Sequence, residues 1–152
     1  MRNGLLYNGN EEEILPHMGG VRFAEKKVKY IVEARRFFTR DGSLLVKSVL
    51  RSFSNIESLR IWLVENLKGI GMKEASHFLR NVGLGKDLAI LDRHILRNLV
   101  ELGILKGLPK NLTRKQYLEI EQKLRSYATM VGIPMDELDL LLWSQETGEV
   151  FK

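Results

Sequence analysis

The chain of 152 residues contains no cysteine. That absence excludes disulfides, thiolate nucleophiles, zinc ribbons and thiolate-held iron–sulfur clusters together. Three scattered histidines are too few to build a metal-dependent reaction on. The chemistry must then come from oxygen and nitrogen side chains, with no metal and no cofactor. No apolar run approaches the roughly 20 residues of a membrane span, and the N-terminus lacks the apolar core of a signal peptide. A cytoplasmic protein is expected. Repeats, low-complexity tracts and long linkers are also missing, and no segment alternates for long enough to require a sheet.

What remains is a helical pattern on a basic chain. A hydrophobic content of 44% argues for a real core in one domain. The formal charge of +5, with a pI near 9.5, favours a polyanionic partner, although such an excess also occurs in proteins that never meet nucleic acid. After a polar start, Glu11 to Met18 reads as a short helix closed by Gly19-Gly20. Arg22 to Thr39 reads as an amphipathic helix carrying Phe23, Val28, Ile31, Val32 and Phe38, ended by Asp41-Gly42. Ser43 to Phe53 is a further helix. Ser54 with Glu57 has capping-box spacing and opens a helix that turns Leu59, Trp62, Leu63 and Leu67 inward. Met72 to Val82 is closed by Gly83, and Asp92 caps a helix from Arg93 to Leu102 that Gly103 terminates. Thr113 with Gln116 opens a long helix to about Val131, and Pro134 starts a last helix ending near Gly148. The fold class is all-α.

One junction stands apart from the rest of this helical pattern. Leu67-Lys68-Gly69-Ile70-Gly71-Met72-Lys73 puts a lysine in the first turn of a helix, directly behind a G-x-G turn. A helix N-terminus carries partial positive charge, so a cation is disfavoured there, and the same field helps a lysine lose its proton and become a nucleophile. Gly69 and Gly71 let backbone N–H groups approach an anion such as a phosphate, with Ile70 between them as the apolar anchor of a helix-hairpin-helix unit. G-x-G also serves as a plain interhelical turn. Here Lys68 and Lys73 flank it, and nineteen residues beyond Lys73 comes Asp92, after the loop Leu84-Gly85-Lys86-Asp87 and the apolar run Leu88 to Leu91. An amine and an acid thus bracket one helix and one loop.

The strings GIGMKEASHFLRNVG and DLAILDRHILRNL resemble the signature of the helix-hairpin-helix DNA glycosylase superfamily, and within it the type 2 8-oxoguanine DNA glycosylase/lyases. The resemblance runs from about Val21 to the C-terminus and includes VRF, KYIVEARRFF and LDLLLWSQETGEVFK. Residues 1–20 read as a short leader, the remnant of an N-terminal helical region that family members carry, and 21–152 as the glycosylase domain. The resemblance implies a helical array of that superfamily. It also implies that Lys73 attacks the sugar and Asp92 assists, that Lys68, Gly69 and Gly71 hold the DNA backbone, and that Trp143, Phe23 and Lys152 recognise the base. The missing cysteines agree with this branch and disagree with the iron–sulfur endonuclease III branch.

The implied activity is base-excision repair: removal of 8-oxoguanine from double-stranded DNA, then β-elimination at the abasic site through a lysine Schiff base. The protein would act as a monomer at the nucleoid. Each residue also has a plainer role. Lys73 is equally suited to a phosphate contact, Asp92 to an N-cap, and Trp143 to the core beside Leu140 and Leu141. His77 reads as a buried or DNA-facing hydrogen-bonding residue and His94 as structural, neither with chemistry. Two alternatives stay open: a non-catalytic DNA-binding module, and an abasic-site lyase that does not recognise the damaged base.

Overall fold

A computed structural model of the chain describes residues 4–147. Its contacts gather into two compact units, Met1–Ile70 and Gly71–Lys152. The elements are helices α1 (Gly4–Asn8), α2 (Glu11–Ile14), a 3-10 turn (Leu15–His17), α3 (Ala24–Phe38), strands β1 (Thr39–Arg40) and β2 (Ser43–Leu44), then α4 (Val46–Arg51), α5 (Ile56–Asn66), α6 (Met72–Asn81), α7 (Arg93–Glu101), α8 (Arg114–Val131) and α9 (Met135–Thr147). Among the described residues no helix is long and apolar enough to cross a membrane.

In the first unit, Asn10 and Glu13 form a reciprocal capping box, each side chain accepting from the other's backbone N–H at 2.9 and 2.8 Å. The short helix this secures delivers Ile14 into a core with Val28 and Val32 of α3, where Leu5, Met18 and Ile31 pack against it. Helix α3 starts two residues later than its apolar pattern suggests. Phe23 sits before it in the left-handed region, at φ 59°, and is 62% exposed beneath the Arg22 guanidinium, so it is not part of the buried stripe.

The segment after α3 differs from the helical reading. Asp41 and Gly42 both take positive φ, 49° and 72°, as a two-residue hairpin turn requires, and they join β1 to β2 in an antiparallel pair. Ser43 and Leu44 are therefore strand, and the helix expected from Ser43 is confined to Val46–Arg51. Helix α5 is capped by Asn55, which accepts from the Ser58 N–H at 2.8 Å, one residue beyond the Ser54 box. It buries Leu59 and Leu63, with Leu67 just past its end, and Arg60 is wholly buried among them. Trp62 is half-buried and meets the Phe37, Phe38 and Phe53 rings at 5.7, 6.2 and 5.6 Å.

The second unit follows the capping signals closely. Thr113 and Gln116 form the expected box at α8, and Gly83, Gly103 and Gly132 adopt φ of 78°, 70° and 70° after their helices. The Pro134 carbonyl accepts from the Leu138 N–H at 2.8 Å, which places the proline immediately before α9. Ala75, Leu79, Leu88, Leu99 and Leu124 are at most fractionally exposed, and the polar Ser76, Asn98, Glu121 and Asp139 are buried with them.

Candidate active site

Helix α6 begins at an extended Gly71, and Lys73 is its second residue. The Lys73 ammonium lies 3.1 Å from the Glu74 carboxylate, the two side chains being 43% and 51% exposed. Burial pushes the Glu74 carboxyl upward, but the Lys73 hydrogen bond, its own backbone N–H and that of Gly71 outweigh it, so the group sits below the ordinary glutamate value. One carboxylate therefore serves both the amine and the open amide at the helix start. It lies 3.0 Å from where a Cβ on Gly71 would stand, which leaves that residue little room to grow.

At the end of the first unit, Gly69 has φ 80° and packs so closely on Tyr30 that any side chain there would collide with the ring. Lys68 is exposed and pairs with Glu33 of α3 at 3.2 Å. Ile70 is half-buried.

Asp92 is the N-cap of α7. Both of its bonds fall on Oδ1, which accepts from the His94 and Ile95 N–H groups at 2.8 and 2.9 Å. The segment leading to it, Leu88 to Leu91, is neither helix nor strand; the Leu88 amide donates to the Gly85 carbonyl at 3.1 Å, and those of Ala89, Ile90 and Leu91 need other acceptors. Side chains of α8 and α9 supply them. Ala89 donates to Glu121 at 2.8 Å, Ile90 to Asp139 at 3.2 Å and Leu91 to the Tyr117 hydroxyl at 3.2 Å, while that hydroxyl donates to the Ala89 carbonyl at 2.6 Å. Asp139 also receives a short ion pair from Arg80 of α6, whose second nitrogen donates to the Asp136 carbonyl at 2.8 Å. Burial pushes the Asp139 carboxyl above the ordinary aspartate value, against the pull of Arg80 and the Ile90 amide.

These four side chains are absent from the sequence reading, yet two left a trace. Glu121 interrupts the apolar stripe of Tyr117, Ile120, Leu124 and Ala128 on α8, and Asp139 interrupts the run from Leu138 to Trp143. A charged residue inside a buried stripe announces a buried partner.

Helix α9 packs against α7, and Asn98 ties them, donating to the His94 and Leu142 carbonyls at 3.0 and 3.1 Å. Trp143 is half-buried beside that tie. Its neighbours Leu140 and Leu141 are exposed, so the core face of α9 is Leu138 and Leu142 instead. His77 is exposed and His94 half-buried. Lys152 lies outside the described residues. Lys73 and Asp92 both belong to the second unit, whereas Lys68, Gly69 and Phe23 belong to the first.

The family model described as 8-oxoguanine DNA glycosylase, Ogg-HhH, matches residues 1–133. The chain belongs to this glycosylase family. The match begins at residue 1, ahead of the Val21 from which the resemblance runs. A Fusobacterium nucleatum protein named 8-oxoguanine DNA glycosylase/AP lyase is 52% identical over 151 residues, covering 99% of this chain and 70% of the relative. The protein of the same name from Methanocaldococcus jannaschii is 49% identical over 141 residues, 93% of this chain and 64% of the relative. The crystal structure of the M. jannaschii 8-oxoguanine DNA glycosylase matches with a TM-score of 0.86 at 45% identity, over 99% of this chain and 68% of that one. A complex of that glycosylase/lyase with a 15mer DNA containing 8-oxoguanine matches with a TM-score of 0.80 at 47% identity, over 93% of this chain and 64% of that one. The chain thus spans about two thirds of the length of these relatives. The helix-hairpin-helix glycosylase fold is shown.

Proposed function

We propose that this glycosylase-family chain excises 8-oxoguanine from double-stranded DNA and cleaves the resulting abasic site, with Lys73 as nucleophile and Asp92 as its acidic partner. The observation that carries the proposal is a half-exposed amine in the first turn of α6, directly behind the glycine turn. The names and DNA complex of the relatives support the substrate class.

The chemistry follows from these groups. The nucleotide must leave the stack before C1′ can be reached, at a cost of a few kcal/mol that phosphate contacts offset. Lys68 and the amides around Gly69 and Gly71 supply such contacts. Lys73 then attacks C1′ as free amine, the bond to the base breaks, and the departing base takes up a proton. Breaking C1′–O4′ gives the imine. Loss of a C2′ proton gives the enamine, return of its electrons forms C2′=C3′ and expels the 3′ phosphate, and water hydrolyses the imine to release the lysine. Asp92 offers its second carboxylate oxygen to positive charge developing on the sugar while Oδ1 stays on the helix cap. Trp143, Phe23 and Lys152 are the proposed contacts to the base, and the protein is proposed to work as a monomer on nucleoid DNA.

The test is borohydride trapping. During reaction with an 8-oxoguanine duplex, reductant should link protein to DNA through Lys73, and Lys73→Gln should lose both the cross-link and strand cleavage. A Lys73→Gln protein that still cross-links and cuts overturns the assignment. Nicking of abasic DNA with the 8-oxoguanine duplex left intact would instead identify a lyase without base recognition. Binding with a steep salt dependence and no cleavage product would identify a DNA-binding module.

A further inference from the structure

Three consecutive backbone amides, those of Ala89, Ile90 and Leu91, are held by three buried side chains from helices distant in sequence. Side-chain acceptors are a demanding way to satisfy a buried backbone segment, because each needs a buried polar group in the right place. Tyr117 and Glu121 stand four residues apart and so share one face of α8. The Tyr117 hydroxyl closes on the segment from both sides, donating its single proton to the Ala89 carbonyl and accepting from Leu91. Asp139 joins the Ile90 amide to Arg80, and Arg80 is part of the helix that carries Lys73. The last clamped residue, Leu91, immediately precedes Asp92.

Resting on the function proposed above, we infer that Tyr117, Glu121 and Asp139 are positioning residues that fix the Asp92 carboxylate for reaction at the Lys73 amine. A cap alone orients Asp92 relative to its own helix. The clamp orients it relative to α8 and α9 and, through the Arg80 ion pair, to α6. Nothing in this arrangement requires any of the three clamp residues to touch DNA, so their removal should reduce turnover and leave substrate affinity in place.

Tyr117→Phe keeps the ring and deletes the hydroxyl. Steady-state cleavage of an 8-oxoguanine duplex, measured well below the melting temperature of each variant, should show kcat lowered roughly tenfold or more with KM changed little, as misplaced reacting groups produce. In an Asp92→Asn background, which keeps the capping oxygen and removes the charge, the same substitution should have a much smaller effect on the residual trapping rate. Glu121→Gln, which retains an acceptor for Ala89, should keep more of kcat than Glu121→Leu. This pair carries the test if Tyr117→Phe does not fold. An unchanged kcat in folded Tyr117→Phe, or an equal loss with Asp92 intact and replaced, overturns the inference. Equal activities of the two Glu121 variants overturn it as well. Absence of cleavage by the wild-type chain would be a failure of the proposed function, visible before any variant is compared.

Discussion

The two units differ in how much polar bonding their cores carry: among the described residues the first buries one charged side chain, Arg60, and the second buries Ser76, Asn98, Glu121 and Asp139. In the first, Ile14, Val28 and Val32 form one cluster, Leu59 and Leu63 are buried on α5, and the rings of Phe37, Phe38 and Phe53 gather around Trp62. In the second, the apolar core is crossed by Ser76, Asn98, Tyr117, Glu121 and Asp139, each buried and hydrogen-bonded across the sequence or along its helix. Apolar contact is non-directional and tolerates small shifts, whereas a buried hydrogen bond weakens steeply when its partner moves out of line. Lys73 and Asp92, proposed to do the chemistry, sit in the unit richer in the directional kind.

Substitutions that attack each kind of bonding should separate the two units, and the largest effect belongs to the buried ion pair. Arg80→Met or Asp139→Leu alone leaves an unpaired charge inside and should cost about 3–5 kcal/mol in denaturant unfolding, while the double variant should cost much less than the sum. Additive losses would mean that the pair is not coupled. Next comes Leu59→Ala in the first unit, expected to lose about 3 kcal/mol from transfer and cavity terms, with turnover per folded molecule retained. A matching fall in kcat would erase the distinction between the units. Gly69→Ala should cost about 1–3 kcal/mol by chemical denaturation, since its positive φ and the Tyr30 ring both oppose a methyl group.

The smallest effects are tests of sign. Glu74 is held low in the folded chain, so its contribution is present above the unfolded value and lost as pH falls through the folded one. The stability gap between the wild type and Glu74→Gln should therefore close on acidification, from at most about 1 kcal/mol for so exposed a pair. Asp139 is shifted the other way. The folded chain binds that proton more tightly, so stability relative to Asp139→Asn should decline as pH rises through the aspartate range. Parallel pH trends for the two variants would contradict these opposite environments.

How much of this was readable beforehand depended on distance along the chain. Asp92, Thr113 with Gln116, and the glycines at 83, 103 and 132 mark helix ends through contacts within a turn, so their spacing is sufficient to place α6, α7 and α8. The glycine turn and the place of Lys73 in the first turn of α6 are legible for the same local reason. The Asp41-Gly42 signal reads only as a helix stop because two-residue strands leave no alternation to detect. Phe23 falls on the apolar stripe by spacing because periodicity ignores the left-handed residue that breaks it. The clamp on residues 89–91 was invisible for a stronger reason: its partners lie 32, 49 and 26 residues away, and no local rule connects them.

The small β1–β2 ribbon offers a practical opening. Its four strand residues are exposed, and its turn is only Asp41-Gly42. A loop tip of this kind accepts extra residues with little disturbance to what it connects. A fluorophore or a peptide tag introduced between residues 41 and 42 would thus report on the first unit while leaving the helices of the second chemically untouched.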